Sequence, residues 1–131
     1  MLSGGAMSKR TTKDDIRRMT DCWRRLLALT SWDIVIFFVD ELEDGRTMDM
    51  QWIRGYTSAG LRCSKDALAL SPERAEKSIV HELLHLTFAP VDDRMELLFG
   101  HGTNMCEFRQ EMERAIDGLS VRLVEAGYDA R

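Results

Sequence analysis

Apolar residues along this chain change their spacing several times, and each change marks an element. Between Thr11 and about Thr30, Ile16, Met19, Trp23, Leu26 and Leu27 recur every three or four positions, the period of a helix with one buried face. Thr12 with Asp15 three residues on is a capping-box pattern at its start. From Trp32 to Val39 the chain switches to a β-branched and aromatic run, which predicts a strand covered on both faces. Glu41 to Arg46, with Gly45, supplies a turn. Beyond it Met48, Met50 and Trp52 alternate with Asp49 and Gln51, so a second strand with one inward face is expected. Gly55 and Gly60 punctuate the next connection. A third extended piece runs from Leu61 through Cys63 and again through Ala67-Leu68-Ala69-Leu70.

The second half reads as helical. Ser71-Pro72-Glu73 offers a capping serine, a proline at the first helical position and an acid beside the positive end of the dipole. That helix is expected to reach about Phe88, because Pro90 cannot continue it. Pro90 to Thr103, containing Gly100-His101-Gly102, is expected as a loop. A last helix begins near Asn104 with the stripe Met105, Phe108, Met112, Ile116, Leu119 and Leu123. The order is α-β-β-β-α-α, which implies an α+β architecture: an N-terminal helix, a small three- to four-stranded twisted sheet, a central helix and a C-terminal helix.

Composition narrows the class. At 131 residues the chain has room for one domain, taken as 11–131 after a flexible N-terminus, 1–10. Its longest apolar run, Ile34 to Val39, is too short to span a bilayer. The N-terminal residues lack the apolar core of a signal peptide, so a cytoplasmic, intracellular setting is expected. A net charge of −4 speaks against nucleic acid as the principal partner. The arginines Arg17, Arg18, Arg24 and Arg25 share their helix with Asp21 and read as a solvated face of mixed charge. Cys22, Cys63 and Cys106 are widely spaced and form no disulfide framework or zinc knuckle.

One short stretch carries chemistry. His81-Glu82-Leu83-Leu84-His85 lies within the helix that opens at Pro72. Histidines four apart stack one turn apart with Cβ atoms about 5–6 Å from each other, close enough for two imidazoles to bind one zinc ion. Glu82 projects about 100° around the helix from His81, where it can serve as a base without being a ligand. With three histidines and ten glutamates in the chain, the pattern arises by chance with probability on the order of 0.5%. A catalytic zinc site needs a third protein ligand. The metzincin extension fails, because Phe88 and Val91 stand where glycine and histidine are required. His101 from the Gly-rich loop is one route to the third ligand. Glu107, Glu111 and Glu113 on the last helix are the others.

The His81-Glu82-Leu83-Leu84-His85 helix, followed by a helix bearing Glu113-Arg-Ala-Ile-Asp117, resembles the gluzincin branch of zinc metallopeptidases, and small phage and bacterial zincin-like proteins in particular. The resemblance covers residues 71–90 and 111–123. It implies a minimal zincin-like fold and a zinc-dependent endopeptidase acting on a peptide or protein substrate. His81, His85 and Glu113 would be the Zn2+ ligands, Glu82 the general base for a metal-activated water, and Asp117 the acid that orients a histidine. It also implies that an extended substrate pairs with a sheet edge beside the helix, for which the strand around Met48 to Trp52 is the candidate. A second stabiliser of the oxyanion is usual in that family, with His101 and Tyr56 as the candidates here. The alternative is a catalytically inactive, zinc-stabilised binding or structural domain of the same fold.

Overall fold

A computed structural model describes residues 10–127; the N-terminal segment set apart above lies, except for Arg10, outside the described residues. Five α-helices surround a three-stranded sheet among these residues, an α+β fold as expected. In chain order they are α1 (Lys13–Leu26), β1 (Asp33–Val39), β2 (Met48–Trp52), β3 (Ser58–Ser64), α2 (Lys65–Leu68), α3 (Pro72–Thr87), α4 (Ala89–Phe99) and α5 (Thr103–Gly127).

Local signals placed the starts of α1 and α3. The Thr12 hydroxyl accepts from the Asp15 backbone N–H, and the Asp15 carboxylate accepts from the Thr12 N–H, both at 3.0 Å. Ser71 accepts from the Arg74 N–H at 3.3 Å with Pro72 just inside the helix. Both devices satisfy N–H groups that have no partner within the helix.

The strand order is β1-β3-β2. β1 runs parallel to β3, Ile36 opposite Leu61, and β2 runs antiparallel to it, Met50 opposite Leu61. One face carries Ile34, Ile36, Ala59, Leu61, Cys63, Met48 and Met50 against α1 and α3, whose Ile16, Met19, Trp23, Ile79, Val80 and Leu83 complete the core. Trp23 Nε1 donates to the buried Glu76 carboxylate at 2.7 Å, tying α1 to α3.

Four expectations are corrected. β1 is not covered on both faces: Val35 and Phe37 are 48% and 50% exposed, because the helices lie on one side of the sheet only. The stretch after Cys63 does not stay extended, since Lys65–Leu68 closes a single helical turn and buries Ala67. The expected loop from Pro90 to Thr103 is mostly helix α4. Pro90 ends α3 and also sits in the first turn of α4, where its missing N–H costs nothing and its fixed φ suits a helix. Gly100, at φ 65°, then stops α4 in a conformation that side chains disfavour. Leu119, placed in the buried stripe of α5, is 38% exposed, and Ser120 and Val124 are buried nearby instead. No helix among the described residues is long and apolar enough to cross a membrane.

Candidate metal centre

α3 buries Ile79, Val80, Leu83, Leu84 and Leu86, and this rotation leaves His81 and His85 at the margin of the core, 18% and 23% exposed. Their rings meet edge to face, with centroids 5.2 Å apart and planes at 63°. Helix α5 packs on α3, with Met112 and Ile116 joining the core. Glu113 and Asp117 each follow a residue of this stripe, about 100° further around the helix, which turns both acids toward the histidines.

The result is a convergent cluster. Glu113 Oε1 lies 2.7 Å from His81 Nε2, and Glu113 Oε2 lies 3.1 Å from His85 Nε2. Asp117 Oδ1 lies 2.8 Å from His81 Nδ1. With Nδ1–H donating to Asp117, the Nε2 lone pair of His81 faces the Glu113 carboxylate, as does Nε2 of His85. Polar atoms of three groups thus converge on one region, at hydrogen-bond distances of 2.7 and 3.1 Å. One ligand atom from each of His81, His85 and Glu113 lies within 4.8 Å of the others, so the group could hold a metal ion. The two-imidazole, one-carboxylate donor set is also the one that hydrolytic zinc sites use. Burial, the largest influence on His85, disfavours its protonated form.

Glu82 lies beside this cluster, 14% exposed, with Oε2 3.9 Å from His81 Nε2. Its carboxyl is pushed up to about 8, first by burial and then by the negative charges of Glu113 and Asp49, while Arg46 and a hydrogen bond from the Met50 backbone N–H pull the other way. Cys63 lies beneath, wholly buried, its thiol pushed up to about 12 by burial and by Glu82 and Asp49. It acts as a small apolar residue. The cluster opens into a cleft of about 630 Å³ between α3, α5 and β2, and β2 is an edge strand of the sheet among the described residues.

Sequence alone left four choices for the third group at the histidines, and only Glu113 is there. Glu111 points away and pairs with Arg114 at 2.6 Å. Glu107 is exposed and outside the cleft. His101 is 80% exposed and lies 3.4 Å from Glu96. Neither expected partner for an oxyanion reaches the cleft: Tyr56 is 66% exposed and borders a separate hollow with Pro90 and Leu97. The cations that line the cleft are Arg46 and Arg109, and sequence reasoning missed both. Arg109 carried one usable signal, since it precedes Glu113 by one helical turn. The arginines of α1 pair with Asp14, Asp15 and Asp21 of their own helix.

No family model, curated protein or solved structure matches this chain.

Proposed function

We propose that the protein is a small zinc-dependent metallopeptidase of the gluzincin kind, in which His81, His85 and Glu113 hold Zn2+ and Glu82 is the general base. The observation that carries this reading is the convergence of His81, His85 and Glu113, with Asp117 on the far nitrogen of His81. When bound, zinc supplies a Lewis acid for a scissile carbonyl and brings the pKa of a water from 15.7 to about 7.

The chain's own residues supply the rest. Asp117 fixes the tautomer and ring angle of His81 and makes its Nε2 a better donor to a metal. Glu82, half enclosed between α3 and β2, takes a proton from the attacking water and returns it to the leaving amine. Its raised proton affinity suits that two-way role near neutral pH. The edge strand β2, whose Met50 N–H already reaches Glu82, is where an extended peptide would approach the cluster. Arg109 also lines the cleft, its guanidinium held by Asp92 and Glu96.

Metal analysis and a cleavage assay test the reading together. Purified protein should hold one zinc per chain, and His81→Ala, His85→Ala and Glu113→Ala should each lose it. Glu82→Gln should keep the metal and lose hydrolysis of a proteome-derived peptide library. Zinc below one equivalent after full reconstitution would refute the ligand assignment. A stoichiometric zinc protein that melts at higher temperature with metal but cleaves nothing would be the structural domain instead.

A further inference from the structure

Charged groups line the cleft beyond His81, Glu82, His85 and Glu113, and all but one of them are matched. Asp49 takes the guanidinium of Arg62 through both carboxylate oxygens. Arg109 lies 3.2 Å from Asp92 and 2.9 Å from Glu96. Arg46 is the exception, since it lines the cleft and pairs with no carboxylate among the described residues. Glu43 and Asp44 precede it in the same turn, yet neither forms an ion pair with it.

The backbone holds this arginine in place at the start of β2. On one side its N–H donates to the Glu43 carbonyl at 3.2 Å, closing the short turn Glu43–Gly45. Asp44 and Gly45 in that turn both take left-handed φ values, 58° and 68°. On the other side the Thr47 carbonyl accepts from the Ser64 N–H at 2.9 Å and from its hydroxyl at 3.1 Å. Arg46 is thus pinned between a closed turn and the first rung that joins β2 to β3. Its charge is felt at Glu82, so the guanidinium stands near the reacting groups and not at a remote surface.

A guanidinium offers its N–H donors in a planar fork, which fits a carboxylate through two parallel hydrogen bonds. Arg46 is exposed, so a carboxylate that meets it gains this attraction without the full cost of burying two charges. We propose that Arg46 is a specificity-determining residue that binds a carboxylate of the peptide substrate near the scissile bond. The inference rests on the metallopeptidase reading and adds a substrate class to it, peptides with an anionic group at that place. The carboxylate has two sources, an Asp or Glu side chain or the free C-terminus of the peptide, and both call for the same partner.

The test uses the full-length, zinc-reconstituted Glu82→Gln protein and two sets of acetylated Ala/Gln decapeptides. One set ends in a carboxamide and carries a single Glu walked along the chain; the other has no Glu and ends in a free carboxylate. In calorimetric titration one member should bind roughly tenfold tighter than the uncharged peptide, the worth of a charge-assisted hydrogen bond at an exposed site. A winner in the first set assigns the site to an acidic side chain, a winner in the second to the chain end, and either supports the proposal. Arg46→Gln should abolish the preference with zinc content unchanged, and Arg46→Lys should keep part of it. Equal affinity for charged and uncharged peptides, no binding of any acidic peptide, or a preference that survives Arg46→Gln overturns the proposal even when zinc is stoichiometric. Protein that takes up no zinc yet shows the Arg46-dependent preference would instead remove the metallopeptidase reading and leave the carboxylate site standing.

Discussion

Replacing Glu82 by Gln should stabilise the metal-free protein while abolishing its proposed activity, and the size of the gain follows from the site. Glu82 ionises near 4.5 in an unfolded chain and near 8 in the fold, with burial as the chief cause. Between those values the folded state binds more protons than the unfolded one, so stability is full below pH 4.5 and falls as the pH rises toward 8. At about 1.36 kcal/mol per tenfold change in proton affinity, the interval from 4.5 to pH 7 makes the loss by pH 7 about 3 kcal/mol. Glutamine has nearly the same shape, cannot ionise, and keeps an oxygen to accept the Met50 N–H. Urea denaturation of both proteins in chelator, at intervals from pH 5 to pH 8.5, measures the difference. The variant's advantage should be small at pH 5, grow with pH and level off above 8. In melting temperature it amounts to roughly 10 °C at pH 7 for a domain of this size. Saturating zinc should shrink the gap, since a nearby cation favours the carboxylate. A difference that does not change with pH would show that Glu82 is not held in a desolvated, anionic setting, and the assignment of the base would lose its physical ground.

Further expectations follow from other contacts. Asp117→Asn should fold normally, because Asp117 is 65% exposed, but lower zinc affinity by about 10–100-fold in a competition titration with a chelating dye. Glu111→Gln, on the same helix but paired only with Arg114, should leave that affinity within about twofold. Trp23→Phe removes the donor to the buried Glu76 and leaves unfilled volume beside Ile16 and Met19. It should cost about 2–4 kcal/mol in denaturant unfolding with no change in zinc binding. Thr12→Ala should cost about 1 kcal/mol by the same measurement, through loss of the α1 cap.

Much of the architecture was legible because the interactions that start and stop these elements are local. The caps at Thr12 and Ser71 act within three residues, and the alternation of Met48, Met50 and Trp52 marks β2 without reference to any partner strand. Pro90 misled for the same local reason: proline is compatible both with ending one helix and with opening the next, and only the packing of α4 beside α5 selects the second use. The apolar run of β1 also reads identically whether one face or two are covered. Its outer face stays open because both chain halves place their helices on the other side of the sheet.

By itself the sequence determined the α+β class and the triplet His81, Glu82 and His85, since a separation of four on a helix sets their spacing before any tertiary contact forms. Tertiary structure decided what meets that triplet. Met112 and Ile116 rotate α5 against α3, and this rotation selects Glu113 over Glu107, Glu111 and His101 and delivers Asp117 to His81. The same packing carries Arg109 into the cleft. A helix's own period fixes which residues share a face; which face turns inward is settled by the partners that bury it.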